Sequence, residues 1–152
     1  MNKTTKTTTH AEENAEGHAE TILELYRAAQ EVQNGAEVVT FEGDDYTDED
    51  SLRDRATDGA LSVEVRGPWY TPGSGEGIHA SEFQILISTG GPALRIIGDL
   101  TEYGEPDADN ARMEVQDWGT PWTEYRPGAA GDADDWGAAW AWFLGCFGCF
   151  EG

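Results

Sequence analysis

The chain has 152 residues, enough for one domain with a single sizeable core. Thirty Asp and Glu stand against nine Lys and Arg, a formal net charge of −21 at pH 7. That balance repels free nucleic acid, whose phosphates require a basic surface, and disfavours anionic membranes for the same reason.

Two explanations for the acidity compete. A carboxylate-rich surface keeps a protein hydrated in high salt, and it also suits the basic groove of a nucleic-acid-binding protein. Lys3 and Lys6 are the chain's two lysines and the other seven cations are arginines. Scarcity of lysine fits either explanation.

Residues 1–11 are rich in Thr and Lys and are expected to form a disordered tail, with a single α+β domain over 12–152. No apolar segment follows the N-terminal lysines, so no secretory signal is expected and the cytoplasm of a host cell is the expected location. Ile22, Leu25, Tyr26, Ala29 and Val32 recur at spacings of three and four, which predicts a helix from about Glu12 to Val32, stopped at Asn34-Gly35. The run Val38 to Phe41 is either a short strand or a connection. Residues 42–58 are the most acidic stretch, where eight carboxylates face only Arg53 and Arg55. Thr47 followed by Asp50 is a capping signal for a short helix from about 48 to 57, whose first-turn carboxylates suit the helix dipole.

The β signal begins at Leu61–Arg66, which alternates apolar and polar residues. A Gly- and Pro-rich loop over 67–81 leads to Phe83, Ile85 and Ile87, again alternating. Gly90-Gly91 turns the chain into 93–98, and residues 104–110 turn it into 112–116. The expected fold is therefore α+β, a four-stranded antiparallel meander packed by the N-terminal helix and an aromatic C-terminal helix. In that last helix Trp136, Trp140, Phe143, Phe147 and Phe150 fall at spacings of four, three, four and three. Such a stripe is buried on the sheet or at an interface between copies, which would make a homo-oligomer. Asp132, Asp134 and Asp135 precede it as suitable caps. The apolar-rich run from Ala138 to Phe150 is shorter than the roughly 20 residues that span a bilayer, so no membrane partner is expected.

The segments LSVEVRGPWYTPG, EFQILISTGGPALRIIGDL, EYGEP and QDWGTPWTEY, within residues 61–125, resemble a family of small acidic proteins carried by phages, plasmids and integrated elements of proteobacteria. The resemblance covers a little under half the chain by motif and most of it by layout: an N-terminal helix, an acidic connection, the meander and a short aromatic C-terminal helix. It implies a mobile-element origin. It carries over no reaction and no catalytic residue. The Trp-rich end, AWAWFLGCFGCFEG, departs from the family's more ordinary amphipathic helix. Small acidic proteins of such elements are often inhibitors of host defence that imitate DNA, which links the charge to a biological role by analogy.

Catalytic chemistry finds no support in the sequence. Cys146 and Cys149 form a C-x-x-C with no second Cys or His pair at zinc-site spacing, so packing cysteines are expected and no metal or cofactor. There is no nucleophile elbow and no phosphate loop, and the Asp107-Ala108-Asp109-Asn110 run reads as a turn rather than a calcium loop. The protein is expected not to be an enzyme. Trp69, Trp118, Trp122 and Tyr125 either make an aromatic platform for a partner or close the end of the sheet. A DNA-mimic surface is expected on Glu42, Asp44, Asp45, Asp48, Glu49, Asp50 and Asp54, supported by Asp99, Glu102, Glu105, Asp107 and Asp109. The leading expectation is a non-enzymatic inhibitor of a basic, nucleic-acid-binding host defence protein, of anti-CRISPR or anti-restriction type. The alternative is a salt-adapted structural or assembly protein that associates through its aromatic C-terminal helix.

Overall fold

A Thr-x-x-Glu capping box starts the first helix, α1 (His10–Gln33). The Thr9 hydroxyl accepts from the Glu12 amide at 3.1 Å, and the Glu12 carboxylate accepts from the Thr9 amide at 3.1 Å. This places the helix start two residues before the expected one, and Ala11, assigned above to a tail, is buried in the core. The computed structural model describes residues 9–73 and 79–150; Lys3, Lys6 and the rest of 1–8, and the middle of the Gly-rich loop, lie outside the described residues. Ala11, Ala15, Ala19, Ile22, Leu25 and Ala29 form the buried side of α1. The small residues of its first half let the backbone approach its neighbours closely.

The acidic stretch hides a hairpin. Strands β1 (Val39–Phe41) and β2 (Asp44–Tyr46) pair antiparallel around a two-residue turn, Glu42-Gly43, with φ of 49° and 84°. Two positive φ values match the turn that suits strand twist. The second strand reads Asp-Asp-Tyr, a sequence without a β signal, which is why periodicity misses it. Helix α2 (Glu49–Asp58) follows, capped by Asp48 rather than Thr47, with the Asp48 carboxylate accepting from the Ser51 amide at 2.7 Å.

The main sheet has five strands, not four, in the order β3 (Ser62–Arg66), β4 (Glu82–Ser88), β5 (Ala93–Asp99), β6 (Arg112–Gln116) and β7 (Thr123–Tyr125). All neighbours are antiparallel, so the meander expectation holds with one strand added. That fifth strand has three residues, Thr-Glu-Tyr, lying between Pro121 and Pro127, too short and too polar to show alternation. Phe83, Ile85, Leu94, Ile96 and Met113 point to one face, where α1 and α3 (Trp136–Gly145) cover them. The last helix ends at Gly145, five residues short of the expected stripe, and Gly148 turns the chain at φ 76°. Phe150 then donates its amide to the Gly104 carbonyl at 2.7 Å and packs its ring on Phe83, 5.8 Å between centroids.

One carboxylate ties both ends of the chain together. Glu16 accepts from the Tyr125 hydroxyl at 2.6 Å, the Gly128 amide at 2.6 Å and the Ala130 amide at 3.0 Å. Desolvation works against the charged form, but these three donors outweigh it and hold the Glu16 carboxyl below its ordinary value. A depressed folded pKa contributes stability that is full above the unfolded carboxylate value and is lost as pH falls through the folded one. Glu16→Gln is therefore expected to cost about 2 kcal/mol at pH 7, as hydrogen bonds to a charged acceptor do. The gap to the natural protein is expected to narrow as pH falls below about 4. Urea denaturation of both proteins across that range checks it; a pH-independent gap would exclude a role for the charge.

Candidate partner-binding surfaces

The carboxylates predicted as a mimic surface divide into two kinds. Glu42 pairs with Arg55, Asp45 accepts from the Thr40 hydroxyl at 2.8 Å, and Asp48 caps α2. Glu49 is a hub: Trp142 Nε1 donates to it at 3.1 Å, Gln33 at 2.8 Å and Arg53 at 3.1 Å. The Trp142 hydrogen bond, with Gln33 and Arg53 adding to it, keeps its carboxyl below the usual range. Asp44, Asp50 and Asp54 are exposed and engaged by no side chain or amide among the described residues. In the second group, Asp99 accepts from Asn110 Nδ2 and Asp107 from the Asp109 amide, so both shape the β5–β6 turn. Glu102, Glu105 and Asp109 are exposed on that turn. The C-terminal segment links the two groups, since Trp142 binds Glu49 while Cys149 Sγ meets the Tyr103 carbonyl at 3.0 Å.

The structure adds acids that composition alone did not single out. Glu13, Glu20, Glu24 and Glu31 are exposed along α1, on the side away from its apolar stripe. Glu24 and Glu31 line a surface groove of about 360 Å³ with Thr40, Phe41 and Glu42 of the hairpin. The groove's one cation, Arg27, is bound bidentate to Asp135 at 2.9 Å. Two helical turns separate Glu24 from Glu31, about 10 Å along the axis. Among the described residues no three His, Cys, Asp or Glu converge on a metal-sized site.

The opposite side of the molecule is different. On the uncovered face of the sheet the register aligns three rows: Arg66–Glu82–Asp99, then Glu64–Gln84–Ile97–Arg112, then Ser62–Leu86–Arg95–Glu114–Glu124. Arg66 pairs with Glu82 at 2.8 Å, Arg95 with Glu114 at 2.6 Å and Arg112 with Glu114 at 3.2 Å. Arg95 also donates to Gln84, and Arg126, just past β7, pairs with Glu124. This side thus carries four of the nine cations but only five of the thirty carboxylates. It is nearly neutral on a molecule of −21.

The four predicted platform aromatics do not form one platform. Trp122 lies over the Arg95 guanidinium, 4.3 Å from its centroid, and Trp118 packs its indole against Gly91 where a Cβ would meet it at 2.2 Å. Trp69 follows β3 at the other end of the sheet and is fully exposed. Tyr125 points to the helical side, where burial and its hydrogen bond to Glu16 push its phenol upward. The predicted oligomer stripe is also divided: Trp140 and Phe143 are core residues, while Trp136, Phe147 and Phe150 are half-buried against that core. Both cysteines are free, and burial pushes the Cys146 thiol up to about 11, away from a reactive thiolate. A cavity of about 180 Å³ under α1 is lined mainly by Ile22, Leu25, Ile96, Met113 and Phe143, with His18, whose pKa burial lowers, at its side. Its volume is below the range of typical small-molecule sites. Among the described residues no helix is long and apolar enough to cross a membrane. Compared with family models, curated proteins and solved structures, the chain finds no match.

Proposed function

We propose that this is a non-enzymatic acidic binding protein of mobile-element origin that blocks a basic, nucleic-acid-binding host defence protein by imitating DNA, in the manner of anti-CRISPR or anti-restriction inhibitors. The observation that carries the reading is the uneven placement of charge. A salt-adapted surface needs carboxylates wherever it meets solvent. Here the sheet face is balanced by arginines, while the helical side presents Glu24, Glu31, Asp44, Asp50 and Asp54 with little cationic relief. Dispersed, unpaired carboxylates on rigid elements suit pairwise contact with Arg and Lys of a DNA groove. The tested outcome is displacement: a host DNA-binding protein captured by the pure chain is expected to release labelled DNA as the chain is added, with an affinity that falls steeply with salt. Capture of no DNA-binding protein, or capture without displacement, overturns the reading.

A second reading is favoured by the half-exposed rims of Trp136, Phe147 and Phe150, which offer apolar area beyond the core. On it the protein is a salt-adapted structural or assembly protein. Folding only in molar salt, followed by circular dichroism, would support it against DNA mimicry.

A further inference from the structure

Seven large apolar side chains are strongly exposed among the described residues, and four of them, Leu61, Val63, Trp69 and Tyr70, fall within ten consecutive positions. The cause lies in how far the helical layer reaches. Val63 sits directly across from Ile85 on the inner face of the sheet, yet Val63 is 42% exposed while Ile85 is sealed. The cover thins over β3, the edge strand, where Val65 packs against the core while Val63 is left on an open apolar shelf. Among the described residues no strand pairs with its outer edge. Natural edges are usually blunted by lysine, proline or a bulge. β3 reads Ser-Val-Glu-Val-Arg, with none of these inside it and Pro68 only after its end, whereas β7, at the other edge, is three residues with Pro121 before it and Pro127 after it.

We propose that β3 pairs with β3 of a second copy, antiparallel about a two-fold axis at Val65, joining the two sheets into one. Charge selects this occupant. Two bodies of −21 repel over most of their surfaces, but residues 61–70 hold one glutamate and one arginine, so a second copy meets the least like charge by approaching here. Register then follows from the strand itself. Apolar residues of both copies share one face only when partners are an even number of places apart. Pairing centred on Glu64 sets carboxylate against carboxylate, and pairing centred on Arg66 sets arginine against arginine. Centred on Val65, Glu64 of each copy stands opposite Arg66 of the other, twice. Arg66 binds Glu82 through Nε and Nη2, which leaves Nη1 for the incoming carboxylate. Continued past the strand ends, the same register sets Val63 across from Gly67 and brings Trp69 of each copy beside Leu61 of the other, so Leu61 and Trp69 shield one another on both sides of the axis. The proposal is independent of DNA mimicry and stands or falls separately.

Sedimentation velocity on the full chain in about 0.5 M NaCl, where screening shortens charge repulsion to a few ångström, tests it. The mass of two copies is expected at micromolar concentration. V63K, which places a lysine on the edge, is expected to weaken the dimer at least about tenfold. Glu64→Arg and Arg66→Glu, each alone, set like charges across the axis and are expected to weaken it by a similar factor, while the exchange E64R/R66E made together with E82R, which keeps opposite charges at 66 and 82 within the sheet, restores it to within about threefold. Circular dichroism confirms that each variant is folded; if V63K is not, the charge exchange still decides. A monomer throughout, a dimer indifferent to both single charge changes, or a triple variant no better than the singles overturns the proposal.

Discussion

Replacing Glu24, Glu31 and Asp44 with their amides is expected to weaken binding to the captured host protein by about 100-fold or more, and to flatten its salt dependence. The three lie on the helical side, two of them lining the groove between α1 and the hairpin, and none is engaged by another side chain among the described residues. Each would meet an arginine or lysine of the target directly, and a charge pair desolvated at an interface is worth about 1.5 kcal/mol or more. Stability is expected to hold or rise, because three like charges leave a chain of −21. The control is an equal loss of charge elsewhere, at Asp117, Asp132 and Asp134. If those three amides weaken binding as much as the groove set, affinity follows total charge rather than placement, and DNA mimicry by a shaped surface is ruled out. Isothermal titration at two salt concentrations reads both effects.

The elements that were legible in the sequence are those whose burial imposes a period. α1 shows its stripe because one side of it is sealed, and β4 shows alternation, broken only by Leu86, because Phe83, Ile85 and Ile87 are buried while Gln84 is half-buried on the other face. The elements that were not legible are held by something other than an apolar face. β2 is specified by the Glu42-Gly43 turn and the pairing of Phe41 with Asp44, not by hydrophobicity. β7 is fixed by Tyr125 reaching Glu16 more than a hundred residues away. The end of α3 is set by Gly145 and by the docking of Phe150 on the β5–β6 turn, a tertiary contact no local pattern reports. The site followed the same logic. Density of acid in 42–54 was visible, but which carboxylates cap, pair or stay free depends on partners such as Trp142 and Arg55 that lie elsewhere in the chain. The near-neutral sheet face was invisible for a related reason: its arginines and glutamates are scattered through the sequence, and only strand register lines them up.

Phe143→Ala is expected to cost about 3–5 kcal/mol, the range for deleting a buried aromatic ring. Phe143 is 4% exposed, borders the cavity beneath α1 with Leu25, Ile96 and Met113, stacks on Trp140 and meets Phe147 edge-on. The cavity already beside it means the surroundings have little material with which to collapse into the space left, which pushes the loss toward the upper end. Against a total stability of roughly 5–15 kcal/mol, that brings the variant close to unfolding, with a melting temperature lower by about 10 °C or more. The same substitution separates two roles for α3. A helix that served as an interface would tolerate the change in the monomer and respond in its association state. A helix that completes the core loses denaturant resistance at every protein concentration, and its association through β3 changes only as far as folding does. Urea midpoints measured at two concentrations about a hundredfold apart distinguish these: a concentration-independent shift places Phe143 in the core, and a shift that vanishes on dilution places it between copies.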